Sequence, residues 1–111
     1  MIRLTVLYGH PTDPDAFDRY YRDVHLPIAR RMKGLQGWTI GKCTSVVPGE
    51  KPPYYLIVGL YAADRAAMDA ILASPEGQAA IADVPKFATG GATFLYDDEE
   101  VLIDVRLSRG A

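Results

Sequence analysis

The amino-acid sequence predicts an α+β fold, with two helices packed on one face of a four-stranded antiparallel sheet. Four segments carry the alternating or continuously apolar patterns of β-strands, and two carry helix caps with helix-spaced apolar residues. These segments follow one another in the order strand, helix, strand, strand, helix, strand. The chain has 111 residues, of which 49% are hydrophobic, so we expect one domain over residues 1–111 with a core of ordinary size.

The first strand and the first helix have clear limits in the sequence. Apolar residues at every second position from Ile2 to Tyr8 predict a strand over residues 2–8, which ends at Gly9. Asp13 can cap the helix that follows, and Pro14 suits its first turn. Gly34 comes directly after a basic last turn, as expected of a residue that ends a helix in the left-handed conformation.

The middle of the sequence predicts a β-hairpin. Strand two is expected over residues 36–47, with Trp38 and Ile40 on one face and small side chains on the other. Residues 48–53 have the glycine and prolines of a loop. Strand three is expected over residues 54–61 and is apolar on both faces, so neither face is expected to meet water.

The second helix is predicted in two parts. Asp64 can cap the first part, and the sequence Ser74-Pro75 indicates a stop and a restart before the helix ends near Pro85. A fourth strand is expected from Gly90 onward.

The acidic run of residues 97–100 is interpreted as a solvated turn, because adjacent acids on a turn rarely converge on a metal ion without further ligands. Residues 101–107 alternate again and predict a C-terminal extension of strand four.

This order of elements is that of the ferredoxin-like βαββαβ sandwich. Right-handed crossovers place both helices on the same face of the sheet, which leaves the other face bare. Tyr55, Ile57 and Tyr61 of strand three are expected on that bare face. An exposed apolar sheet face usually marks an interface, so we expect a homodimer in which the two sheets face each other.

Composition excludes several classes of protein. The net charge of −2 and the lack of a long basic run argue against a nucleic-acid partner. No apolar stretch is long enough for a membrane span or a signal peptide, so we expect a cytoplasmic protein. The single cysteine, Cys43, lies in a strand-like run and is expected to be a buried, inert thiol.

No cofactor or metal ion is expected from the sequence. The glycines lack the spacing of a dinucleotide-binding loop, which argues against flavin and nicotinamide cofactors. The two histidines, His10 and His25, lie fifteen residues apart on different elements and do not form a metal-binding motif.

His25 is the residue that points most directly to function. At about 100° per residue, it falls at the edge of the apolar stripe of the first helix, one turn beyond Tyr21. The expected members of that stripe are Phe17, Tyr21, Val24 and Ile28. An imidazole at such a boundary needs a hydrogen-bonding partner, a cavity or a ligand.

Pro27 lies two residues after this histidine, inside the same predicted helix. A proline inside a helix donates no hydrogen bond and its ring presses on the carbonyl four residues earlier, so we expect a kink or a change of pitch near His25. Two interpretations stay open: a core histidine that donates to the freed carbonyls, or a histidine with a catalytic role.

The segment FDRYYRDVHLPIARRMKGLQGWT, residues 17–39, resembles the helix-one and strand-two signature of the EthD family. This family takes its name from a gene cluster for ethyl tert-butyl ether degradation and belongs to the dimeric α+β barrel superfamily. The resemblance places the family's histidine at His25 and its following proline at Pro27. It implies a dimeric barrel with a cleft between sheet and helices, and an oxidoreductase association through a monooxygenase pathway.

With this resemblance, the candidate catalytic residues are His25 as a general acid or base and Tyr21 as its nearest partner. The candidate residues of a ligand pocket are Tyr20, Trp38 and Tyr61. Two further aromatic residues, Phe87 and Phe94, are assigned to the core.

Two functions follow. The protein is expected to be an EthD-like component of a catabolic or secondary-metabolic pathway that binds or transforms a small apolar organic compound. The alternative is a cofactor-independent monooxygenase, isomerase, dehydratase or cyclase in which His25 is the general base and a tyrosine hydroxyl polarises a carbonyl. A haem protein is a distant third, because His10 or His25 can ligate iron but nothing else marks a porphyrin site.

Overall fold

The computed structural model describes residues 1–105, and its elements follow the predicted order. The strands are β1 (Ile2–Tyr8), β2 (Gly37–Lys42), β3 (Leu56–Ala62) and β4 (Ala92–Asp98). The helices are α1 (Pro14–Tyr20), a π-helical segment (Tyr21–His25), α2 (Leu26–Ala29), α3 (Arg65–Ala73), α4 (Pro75–Asp83) and a short 3-10 turn (Val84–Lys86).

The four strands form one antiparallel sheet in the order β2-β3-β1-β4. This confirms the ferredoxin-like α+β fold and the hairpin of β2 and β3. The predicted strand two was too long, since pairing with β3 stops at Lys42 and only one more backbone bond, from Cys43 N–H to the Tyr55 carbonyl, follows at 3.0 Å. Strand three begins at Leu56, after the predicted start.

The core lies between this sheet and the helices. Alternate residues of β1 and β3 turn toward the helices and are buried, while their neighbours turn to the other face. The predicted caps are observed, because the side chains of Asp13 and Asp64 accept hydrogen bonds from the backbone N–H groups of Ala16 and Ala67. Met68 of α3 is completely buried in the core.

The predicted change of pitch is the π-helical segment that ends at His25. The Leu26 N–H bonds the Tyr21 carbonyl five residues earlier, and this wider turn gives the ring of Pro27 room beside the carbonyl of Asp23. The extra residue rotates the following side chains, so His25, Leu26 and Ala29 face the core. The predicted stripe was therefore wrong beyond Tyr21.

Two of the residues assigned to that stripe show the effect. Val24 is exposed and Ile28 is only partly buried. The helix also ends earlier than predicted, since α2 stops at Ala29 and Gly34 adopts a φ of 99° in the loop beyond it.

No helix within residues 1–105 covers the second face of the sheet. Ile57 on β3 is 44% exposed there, and Leu95 on β4 is also exposed. Tyr55 was assigned to this face, but it precedes β3, and its ring packs against Phe17 of α1 with ring centroids 5.2 Å apart.

The predicted acidic turn begins inside β4. Asp97 and Asp98 belong to the strand, and the guanidinium of Arg3 donates to both carboxylate oxygens of Asp97 at 2.8 and 3.0 Å. The predicted C-terminal extension is absent from residues 101–105, which form no strand, and its last two residues lie outside the described part of the chain.

Candidate functional site

A small cavity lies between the sheet and the helices. Its volume is about 50 Å³, and its walls are mostly aliphatic. Four of its lining residues carry polar side-chain atoms: Tyr8, Tyr21, His25 and Trp38. No lysine, arginine, aspartate or glutamate of residues 1–105 lines the cavity, so it suits a small neutral molecule with few polar groups.

A carboxylate fixes the orientation of His25 at this cavity. His25, only 6% exposed, places its Nδ1 3.0 Å from Oδ2 of Asp83, which is 2% exposed. The hydroxyl of Tyr20 donates to the other oxygen, Oδ1, at 2.7 Å. Asp83 is the last residue of α4, so this contact joins the end of that helix to the π-helical segment.

The environment of His25 favours its neutral form. Burial lowers the pKa of His25, and the hydrogen bond with Asp83 opposes this shift without reversing it. An ionised carboxylate only accepts hydrogen bonds, so the proton of the neutral ring belongs on Nδ1. Nε2 then carries the lone pair and can act as a base.

The two tyrosine hydroxyls that line the cavity stay protonated over the physiological pH range. Burial raises the pKa of Tyr21 to about 12 and raises the pKa of Tyr8 still further. Both hydroxyls are therefore hydrogen-bond donors at neutral pH. The Tyr21 ring lies 5.3 Å from the His25 ring, and the Phe87 ring lies 4.6 Å from it.

The structure brings together three of the five residues selected from the sequence, since His25, Tyr21 and Trp38 line the same cavity. Tyr20 does not line this cavity and instead contacts Asp83, while its ring stacks on Phe87.

Tyr61 lies on the opposite face of the sheet, where it flanks Gly37, and does not meet His25. Phe87 is buried in the core as predicted, but Phe94 is 47% exposed and lines the cavity, which corrects its assignment to the core.

Two residues of the site were missed in the sequence. Asp83 is 58 positions from His25, and nothing in its local pattern distinguishes it from a solvent-facing helical acid. Tyr8 was recognised only as a strand residue, although its place at the end of β1 sets it beside the helices.

Within residues 1–105, no group of three or more histidine, cysteine, aspartate or glutamate side chains could hold a metal ion. In the same part of the chain, no helix has the length and apolar character needed to cross a bilayer.

The fold and the site together define a class: small ferredoxin-like α+β proteins with a carboxylate-oriented histidine at an interior cavity. Comparison with known proteins identifies the family. The EthD domain model matches residues 9–91. A Rhodococcus erythropolis protein, described as an uncharacterized 11.0 kDa protein in the thcB-thcC intergenic region, is 42% identical over 103 residues, which are 93% of this chain and 99% of that protein. The chain belongs to the EthD family.

Solved structures agree with this assignment. An ethyl tert-butyl ether d (EthD) family protein from Bacillus halodurans is 29% identical, with a TM-score of 0.83, and the match covers 90% of this chain and 99% of that one. A dimeric ferredoxin-like protein from Thermobifida fusca is 14% identical, with a TM-score of 0.64, and the match covers 86% and 88% of the two chains. The second similarity concerns the fold alone.

Proposed function

We propose that this protein binds a small, largely apolar organic compound in the His25 cavity and transfers a proton there without a cofactor. The observation that carries the proposal is the buried contact between His25 Nδ1 and Asp83. A carboxylate on one ring nitrogen fixes the tautomer and leaves the other nitrogen as a general base, as in other histidine-dependent enzymes.

The cavity supplies the second requirement, which is stabilisation of the negative charge that develops on the substrate. When His25 Nε2 takes a proton from carbon, the C–H electron pair moves toward the adjacent carbonyl and forms an enolate. Tyr8 and Tyr21 keep their hydroxyl protons and can donate to the enolate oxygen. Return of the proton from His25 to carbon completes the cycle, so no oxidant or reductant is needed.

We place this chemistry in a catabolic or secondary-metabolic pathway and in the cytoplasm. The family name of the Bacillus halodurans relative refers to ethyl tert-butyl ether, and this supports a role toward small organic compounds. We further propose that an oxidoreductase acts in the same pathway. The lone cysteine, Cys43, has no partner for a disulfide within the chain and supports the cytoplasmic location.

Deuterium exchange tests the proposed proton transfer. Cyclopentanone is a compact neutral carbon acid that is larger than the empty cavity, so its entry requires the partly exposed ring of Phe94 to move outward. Its α-hydrogens are followed by proton NMR in D₂O. We expect the protein to accelerate their exchange above the buffer rate, with saturation as the ketone concentration rises. Saturable binding without accelerated exchange would instead support a protein that binds the compound without transforming it. The aliphatic lining of the cavity also permits this function.

Asp83→Asn tests the orientation of His25. The amide can donate to Nδ1, which favours the tautomer with the proton on Nε2, so we expect the exchange rate to fall by about a hundredfold. The 15N chemical shifts of the His25 ring should report the change of tautomer. Tyr20→Phe keeps the carboxylate and is the matched control, with an expected loss below about tenfold. An unchanged tautomer in Asp83→Asn would contradict the positioning role.

We further propose that residues 1–111 form one domain that pairs with a second copy through the uncovered face of the sheet. Ile57 and Leu95 expose apolar side chains there, and the Thermobifida fusca protein with the same fold is described as dimeric. A dimer would bury these side chains.

Ile57→Arg is expected to convert this dimer into a monomer, because it places a charge on the apolar face that the two copies share. Multi-angle light scattering at about 10 μM measures the mass, at a concentration where standard interfaces are populated. Val24→Arg adds the same charge at an exposed site on the π-helical segment and should leave the mass unchanged. A monomeric wild-type protein would refute the pairing.

A further inference from the structure

Trp38 carries a buried hydrogen-bond donor that has no partner in the part of the chain that the structure describes. Its Nε1 is shielded from solvent, and no acceptor among residues 1–105 lies within hydrogen-bonding distance of it. Buried indole N–H groups in proteins almost always find an acceptor. An unpaired donor in a residue that lines a cavity therefore indicates a place for an acceptor that the described part of the chain does not provide.

The position of this indole is well determined by its neighbours. Trp38 lies on β2 opposite Leu60 of β3, with its side chain on the helical face of the sheet. The guanidinium of Arg30 lies 5.9 Å from the centroid of the ring and covers it from the side of the helices. The ring is thus held between two elements, and it shares the cavity with His25.

We propose that the Trp38 Nε1–H group donates a hydrogen bond to an uncharged carbonyl oxygen of the ligand. This inference rests on the proposed function and specifies its substrate class as compact neutral ketones, aldehydes or esters. The same oxygen becomes the enolate oxygen when His25 takes the adjacent proton, so Trp38 joins the tyrosine hydroxyls as a donor to it.

The lining of the cavity favours a neutral carbonyl over a carboxylate or phosphate. Among the described residues, no cationic side chain lines the cavity, so a bound anion would lose its water without direct contact with a countercharge. A hydrocarbon would fill the apolar part equally well but would leave the indole N–H unpaired, which is why the site should distinguish ligands of the same shape.

A single tryptophan makes this hydrogen bond directly observable. The chain has one tryptophan, so 15N-labelled protein gives one indole N–H signal. We expect cyclopentanone to move the indole proton downfield, as a new hydrogen bond does. Methylenecyclopentane has the same shape but carries a CH₂ group in place of the oxygen, and it should bind without that downfield shift. Equal effects of the two compounds, or no indole shift at saturating ketone, would overturn the proposal.

Affinities of the Trp38→Phe variant provide the second measurement. Phenylalanine keeps an aromatic ring and removes the donor, so the preference for cyclopentanone over methylenecyclopentane should fall by about tenfold. The ratio of the two dissociation constants cancels any general effect of the smaller ring. Tyr61→Phe removes a polar group from the opposite face of the sheet and should leave the ratio unchanged.

The outcomes separate this inference from the proposed function. An indole shift without deuterium exchange would support Trp38 as the ligand donor and refute proton transfer. Exchange without an indole shift, or with an unchanged ratio in Trp38→Phe, would support His25 chemistry and refute the role of Trp38.

Discussion

Replacing His25 by glutamine is expected to reduce the deuterium exchange of cyclopentanone by at least about a hundredfold, to near the buffer rate. Glutamine is polar and can still contact Asp83, but it has no basic nitrogen at neutral pH. General-base catalysis by a positioned side chain typically contributes about 10²- to 10⁴-fold. The rate is measured by loss of the α-proton signal at a protein concentration that gives a linear response.

His10→Gln is the matched control for this variant. His10 is the other histidine of the chain, and its Nε2 lies 2.6 Å from the Pro52 carbonyl, outside the cavity. Its replacement should leave the exchange rate within about threefold of wild type, as expected for a site away from the chemistry. An equal loss in both variants would show that general destabilisation, and not the base, limits the rate.

The pH dependence of exchange gives an independent signature of His25. The base must be neutral to accept a proton, and burial lowers its pKa below the ordinary histidine value. We therefore expect the rate to rise with pH, with a midpoint below about 6.5, and to be constant above it. A midpoint above that value would contradict a neutral buried imidazole as the base.

Gly9→Ala is expected to cost about 3 kcal/mol of unfolding free energy, which is the upper part of the range for overpacking. A Cβ at this position would lie 2.1 Å from the carbonyl oxygen of Gly90, a backbone atom that cannot turn aside as the end of a flexible side chain can. The Gly9 N–H also bonds the Gly91 carbonyl at 3.0 Å, so the two chain segments cannot separate without losing that bond. Thermal unfolding should show a midpoint lower by roughly 10 °C or more.

Gly41→Ala tests whether the loss arises from this close approach. Apart from its two chain neighbours, no heavy atom of residues 1–105 lies within 4 Å of a Cβ added at Gly41, and the φ of Gly41 is not positive. We expect a change within about 0.5 kcal/mol, typical of an unconstrained site. Similar losses in the two variants would mean that the loss at Gly9 does not arise from its close approach to Gly90, because the effect of alanine on the unfolded chain is stabilising.

Local patterns predicted the fold because each element carries its own signals. Asp13, Asp64 and Pro75 mark helix starts, and the alternation of β1 is a property of seven consecutive residues. Pro27 predicted a disturbed helix at His25 for the same reason. The sequence could not show that the disturbance is one wide turn, which decides whether Val24 or Leu26 faces the core.

The site was less predictable because its contacts join distant parts of the chain. His25 and Tyr21 share one helical surface and could be found together, whereas Asp83 reaches His25 only when α4 packs against α2. Tyr61 and Trp38 are both aromatic strand residues, but the period of two places them on opposite faces of the sheet. Residue type alone could not separate them, and only the register does.

The wide turn before Pro27 shows that a single residue distinguishes this helix, with its buried histidine, from a regular α-helix packed on the same sheet. In a regular α-helix, Ala29 would point about 120° away from Phe17, whereas with one residue fewer it would point only about 20° away. The insertion or deletion of one residue here could therefore turn the imidazole toward the core or away from it, while the apolar residues before and after the wide turn still face the sheet. Related proteins of this architecture could thus acquire or abandon proton chemistry without rebuilding the sheet beneath it.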